Sequence, residues 1–224
     1  MARLRQPPPP PLETHVEALD VYRWLVEGGN RSACDAFDAH VVASLLGVAL
    51  VEATGDDRSV VDAIGLDARV LADLVGELFP HAAPVFGRIA CTELIPTVTD
   101  DESCLRELLT RHSTSGTPFE QRLAAMVARR AQRPNHLWQD LGLRNRRELS
   151  WLMGRHFEPL AARNSADMKW KKFLYRMICR DTGFLLCTAP TCDECTDYDG
   201  CFGDESGESL LAANRRQMRP AGGG

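Results

Sequence analysis

Asn145-Arg146-Arg147-Glu148-Leu149-Ser150-Trp151-Leu152-Met153-Gly154-Arg155-His156-Phe157-Glu158-Pro159-Leu160 is the stretch from which the fold is read. Asn145 with Glu148 three residues on is a helix start signal, and Leu149, Leu152, Met153, Phe157 and Leu160 then recur at helical spacing. The stretch holds none of the period-two alternation of a half-buried strand.

The same period extends in both directions. Upstream, Asn135-His136-Leu137-Trp138-Gln139-Asp140-Leu141-Gly142-Leu143 reads as a short helix closed by Gly142. Downstream, Met168 to about Arg180 carries Trp170, Phe173, Leu174 and Met177 on one side and Lys169, Lys172 and Arg176 on the other, and Gly183 stops it. Towards the N-terminus, Thr117 with Pro118 and Glu120 opens another helix, and one more is expected around Glu102 to Arg111. Val70, Leu71, Leu74, Val75 and Leu78 mark a helix ending at Pro80, behind a short helix after Ser59 and a turn at Gly65. Phe37, Val41, Leu45 and Val48 face inward from a helix spanning Asp35 to about Glu52. Val16, Leu19, Tyr22 and Leu25 line another that Thr14 and Glu17 start and Gly28-Gly29 end. The expectation is an all-α, multi-helix bundle-like domain with a C-terminal cysteine-rich metal-binding loop. Its parts are a proline-rich extended arm over residues 1–12, a helical part over 13–133, a second helical part with the cysteine loop over 134–203, and a flexible tail over 204–224.

A chain of 224 residues, 44% hydrophobic, can bury a substantial core. Pro7 to Pro11 interrupt any signal-like apolar helix, and no stretch reaches the roughly 18 unbroken apolar residues of a membrane span, so a cytoplasmic protein without membrane contact is expected. The net charge of −5 conceals blocks: residues 1–121 hold 9 basic and 19 acidic side chains, residues 122–180 hold 14 and 4, and residues 181–209 hold 8 acidic and none basic.

Four of the eight cysteines fall within fifteen residues, as Cys187-x4-Cys192-x2-Cys195-x5-Cys201. In a reducing compartment such a cluster reads as metal ligation before disulfides. Pro190 and Gly200 assist the turning that lets four thiolates face one inorganic core. Thiolates suit iron–sulfur clusters and also zinc. The spacing is neither that of a zinc ribbon, which has two Cys-x2-Cys knuckles, nor that of a plant-type ferredoxin, whose fourth cysteine lies far away; an iron–sulfur cluster is favoured over a compact zinc site or a disulfide. Asp193, Glu194, Asp197 and Asp199 read as solvation of an exposed loop, ahead of a specificity device against anionic partners. Cys179 is a spare ligand or, more simply, a buried small residue, and His136 is an extra ligand or a helix-starting residue. Trp138 and Trp170 read as core anchors. Arg144, Arg146, Arg147, Lys169, Lys171, Lys172 and Arg176 form either a solvated face or a surface attracting a small anion or an acidic partner.

The cysteine loop closing on Cys201-Phe202-Gly203, the segment His136 to Leu143, and Met168-Lys169-Trp170-Lys171-Lys172-Phe173 together resemble the NifQ family of nitrogen-fixation proteins, closely over residues 134–203 and by helical pattern over residues 14–133. The resemblance implies a non-enzymatic molybdenum-iron-sulfur cluster carrier, with Cys187, Cys192, Cys195 and Cys201 as cluster ligands. It would supply molybdenum for the iron-molybdenum cofactor of nitrogenase, take it from molybdate or another molybdenum donor, and act with the scaffold NifEN and the iron protein NifH.

The alternative is a structural zinc or iron–sulfur protein acting as a transcription regulator, with Ser59 to Phe79 as a helix-turn-helix. Asp67, Asp73 and Glu77 against Arg69 on the reading helix would repel phosphate, so no nucleic-acid partner is expected. No nucleotide loop or paired acid–base constellation points to an enzyme.

Overall fold

The computed structural model describes residues 17–30, 35–55, 59–92, 95–182 and 205–212. The proline arm, Thr14, Gly183, Pro190, Gly200, the loop acids and all four clustered cysteines lie outside them. Among the described residues there are eleven helices, a last helical turn at 210–212 and no strand.

Two compact units form. The first contains α1 (Ala18–Glu27), α2 (Ala36–Gly55), α3 (Val60–Ile64), α4 (Ala68–Leu78) and α5 (Ala83–Thr92), together with Trp138–Asn145 and the segment from Glu208. Its centre is α2, where every residue from 41 to 50 is buried. Among the described residues only this helix is long and apolar enough to cross a membrane by length and composition, and 67% of that stretch is buried; an apolar helix enclosed by its neighbours behaves as a core helix.

α1 and α3 pack against α2, and α4 packs against α5. The buried face of α1 is Ala18, Val21, Trp24 and Leu25. Leu19 and Tyr22, expected inward, are only partly buried, because they cover a second small cluster with Val48 and Leu211. Gly28 does end α1, and His81 Nε2 lies 2.9 Å from the carbonyl of Trp24 in the last full turn. Ser59 caps α3 by accepting from the Asp62 amide, Gly65 closes it in the left-handed region at φ 81°, and Asp67 caps α4 by accepting from the Val70 amide at 2.8 Å.

Gly142 fixes the reversal after α8 (Leu137–Asp140). Its φ is +72°, and a Cβ there would sit 2.7 Å from the Ser44 carbonyl oxygen, so the chain passes directly over the α2 backbone. Residues 208–212, expected within a flexible tail, are packed. Leu211 joins the cluster with Ala18 and Val48, Ser209 Oγ donates to the Gly142 carbonyl at 3.3 Å, and Gln139 Nε2 donates to the Glu208 carbonyl at 2.9 Å. Leu210-Leu211 is a short apolar pair that composition alone places in a polar tail, and its burial overrides that reading.

The second unit holds α6 (Asp100–Arg111), α7 (Pro118–Ala131), α9 (Arg146–His156), α10 (Glu158–Arg163) and α11 (Trp170–Thr182). α6 packs against α7 and α11, and α9 against α10. Leu105, Leu109, Leu123, Met126, Leu149, Leu152, Met153, Phe157, Leu160, Phe173 and Leu174 are among its buried apolar residues. The capping box expected at Thr117 is complete: the Glu120 amide donates to Thr117 Oγ1, and the Glu120 carboxylate accepts from the Thr117 amide.

The apolar period from Leu149 to Leu160 does not run as one helix. α9 ends at His156, Phe157 sits at φ −138°, and α10 restarts with Pro159 in its first turn. A proline inside a continuous helix would clash with the carbonyl four residues back, here that of Arg155, whereas in a first turn it costs nothing. Phe157 and Leu160 are still buried, so the break preserves the apolar face.

Candidate metal centre

The segment 183–204 carries the four candidate ligands Cys187, Cys192, Cys195 and Cys201, and lies outside the described residues. What the structure describes is how its two ends are held, and both belong to the second unit.

The segment is entered from the C-terminal end of α11. This helix is fixed by Trp170, Phe173, Leu174 and Met177, all buried, with Trp170 edge-on to Phe173 at 5.8 Å between ring centroids. Gln132 Nε2 donates to the Tyr175 hydroxyl at 2.9 Å, and Lys171 Nζ donates to the Arg133 carbonyl. Burial raises the Tyr175 phenol above its ordinary range and the charge of Asp101 adds to this, while the hydrogen bond from Gln132 opposes it.

The segment leaves towards Glu205, whose side chain is only 5% exposed. Arg146, the first residue of α9, donates from Nη1 to Glu205 Oε2 at 2.6 Å. Its Nη2 points to the carbonyl and Oδ1 of Asp167, each at 2.8 Å, and to the Met168 carbonyl at 3.0 Å. His136 Nδ1 stands 3.4 Å from the other carboxylate oxygen of Glu205. Asp167 holds a left-handed φ of 52°, and Asn164 supports the turn by bonding both the amide and the carbonyl of Met168 at 2.9 Å. Burial by itself lowers the Arg146 guanidinium; the hydrogen bond to Asp167 and the charge of Glu205 outweigh it, so the group stays protonated above its ordinary value.

The two ends lie at opposite ends of α11. Arg146 pins Glu205 beside Asp167 and Met168, just ahead of the helix, while Thr182 closes it; 13 helical residues span about 20 Å. Cys187 lies five positions beyond Thr182, and Glu205 four positions beyond Cys201. Fully extended, those lengths reach about 31 Å in total, more than the span. Thiolates from one short segment suit an iron–sulfur core, and the donor set also accepts zinc.

The other residues singled out from sequence fall apart from this arrangement. Cys104 is exposed on α6, and Cys179, expected buried, is only partly so near the end of α11. Among the described residues, no three His, Cys, Asp or Glu side chains are grouped as a metal site. Trp138 and Trp170 are core anchors at 2% and 4% exposure. The basic residues do not act as one face: Arg146 is committed to carboxylates, Lys171 to a carbonyl, and Arg147 lies 4.9 Å over the ring of exposed Trp151. On α4, the exposed residues Arg69, Asp73 and Glu77 leave a net negative face, unsuited to a phosphate backbone.

Sequence reasoning missed Glu205 and Asp167 altogether and left Arg146 open between a solvated face and a surface for molybdate or an acidic partner. No local signal marks them. Arg146 and Glu205 are 59 positions apart in sequence, and only the three-dimensional return of the chain brings them together.

A profile of the NifQ family matches residues 41–203. The chain is 40% identical over 174 residues to a NifQ homolog of Sinorhizobium fredii (strain NBRC 101917 / NGR234), covering 77% of this chain and 75% of that one. It is 36% identical over 152 residues to NifQ of Azotobacter vinelandii, covering 63% of this chain and 78% of that one. NifQ of Rhodobacter capsulatus is 41% identical over 107 residues, covering 48% of this chain and 59% of its own length. No solved structure matches. The match contains every described anchor up to Thr182 as well as all four clustered cysteines, and with it the chain belongs to the NifQ family.

Proposed function

We propose that this protein is a carrier of a molybdenum-iron-sulfur cluster that supplies molybdenum for building the iron-molybdenum cofactor of nitrogenase. The family implies a non-catalytic role in molybdenum supply. The observation that carries the finer reading is the set Cys187, Cys192, Cys195 and Cys201 in one segment, anchored at Thr182 and Glu205. When bound, the cluster supplies soft sulfide donors that retain molybdenum. The chain's own part is to ligate it through four thiolates, and to present it on a short segment from which a docking acceptor can take it. The scaffold NifEN and the nitrogenase iron protein NifH are the proposed acceptor system, and molybdate or another molybdenum donor the proposed source. A cytoplasmic location goes with this role.

The test is metal transfer. Protein loaded anaerobically with iron, sulfide and molybdenum is mixed with the acceptor scaffold, the two are separated, and molybdenum is measured on each. Transfer from wild type and none from the Cys192→Ala, Cys195→Ala double variant is expected. Equal donation by both would overturn the ligand assignment.

A further inference from the structure

Of the four tryptophans in the chain, Trp24, Trp138 and Trp170 are buried, and Trp151 is 52% exposed. It stands on the outer side of α9. The inner side, Glu148, Leu149, Leu152, Met153 and His156, is buried, whereas Arg147, Trp151, Gly154 and Arg155, which follow one another at helical spacing, are all exposed. The Arg147 guanidinium lies 4.9 Å over the Trp151 ring and restrains the indole at the surface. Gly154, one turn on, is less favourable inside a helix than alanine, yet a Cβ there would meet nothing within 4 Å. Packing within the unit therefore gives no reason for a glycine. A bare stretch of backbone beside an exposed ring is what a close-fitting neighbour requires.

The charge of this region indicates what kind of neighbour. From Arg146 to Arg180 there are nine Lys and Arg side chains against three acids. Of the acids, Glu148 is buried and Asp167 accepts from Arg146, which leaves a positive surface on a chain whose net charge is −5. We propose that Arg147, Trp151, Gly154 and Arg155 form the docking face for an acidic protein surface, that of the acceptor which takes the molybdenum. This rests on the carrier reading above. Trp151 is the anchor, because tryptophan and arginine dominate the few residues that carry binding energy at protein interfaces. Held by Arg147, the indole loses little freedom on docking. Gly154 lets the partner approach the helix backbone, and the two arginines match its charge. A phosphate backbone or an anionic lipid surface would be drawn by the arginines but makes no use of Gly154.

The experiment uses the full cluster-loaded chain, with the acceptor scaffold and the nitrogenase iron protein as binding partners under anaerobic conditions. Affinity, molybdenum transfer and the melting temperature of the metal-free chain are measured. Trp151→Ala should weaken binding about thirtyfold. Gly154→Gln should leave the melting temperature unchanged or raise it and still weaken binding about tenfold, a combination that a purely structural glycine does not give. Arg147→Gln with Arg155→Gln should slow association, and the difference should vanish at high salt. Wild-type affinity in both Trp151→Ala and Gly154→Gln overturns the proposal, and molybdenum transfer by the wild type then leaves the carrier reading standing. Binding of a DNA duplex or of phosphatidylglycerol vesicles through Trp151, with none of the acceptor, also overturns it. A wild type that transfers no molybdenum removes both.

Discussion

Arg146 bonds to three residues in two stretches of chain. Replacing it with methionine keeps the stem and strands the Glu205 carboxylate, 5% exposed, without its main partner. Breaking a buried pair from one side costs about 3–5 kcal/mol, and denaturant titration of Arg146→Met should show a loss of that size. Arg146→Lys should cost less, about 1–2 kcal/mol, because one hydrogen-bonded charge is kept and the fork is lost. Gly142 is the other residue whose identity is fixed by geometry. At φ +72° and 2.7 Å from the Ser44 oxygen, Gly142→Ala meets both backbone strain and a clash with α2, and should destabilise by about 2 kcal/mol or more. Glu102 shows how this unit handles another buried carboxylate: Arg106 bonds it at 2.6 Å, and Arg129 Nε stands 3.0 Å away in a charge contact.

The helices themselves were readable where a local signal coincides with an apolar period. Thr117 and Glu120 form the box their spacing announces, Ser59 and Gly65 bracket α3, and Gly142 turns the chain after α8. Thr117→Ala should cost about 1 kcal/mol in chemical denaturation, the usual value of a lost N-cap. α6 begins two residues earlier than expected, since Thr99 rather than a residue near Glu102 supplies the cap. α5 has no counterpart in the sequence reading; it starts at Ala83, and Pro84 falls in its first turn where no amide is needed. The division of Leu149–Leu160 into α9 and α10 was legible in Pro159 and was outvoted by the apolar period. Periodicity reports which side faces the core; it does not report whether the backbone is continuous.

For the molecule as a whole, the sequence exposed the candidate ligands and hid the contacts that hold the end of their segment. Cysteine spacing is a local pattern that survives in one dimension, so Cys187, Cys192, Cys195 and Cys201 could be singled out directly, and their family could be recognised with two flanking motifs. The anchor could not, because Arg146, Asp167, His136 and Glu205 are ordinary polar residues until the chain returns on itself. The same holds for Ser209 and Leu211, set in a mostly polar stretch and buried in fact. This division of labour suits a carrier: the ligands sit on one short segment, while helices packed through apolar residues hold its ends.

The measurement that bears most directly on this account is the metal and sulfide content of anaerobically purified protein, wild type beside the Cys192→Ala, Cys195→Ala double variant. The account predicts iron, acid-labile sulfide and molybdenum on the wild type and their loss from the variant. Stoichiometric zinc without sulfide, persisting after anaerobic reconstitution with iron, would contradict it and leave a structural zinc protein.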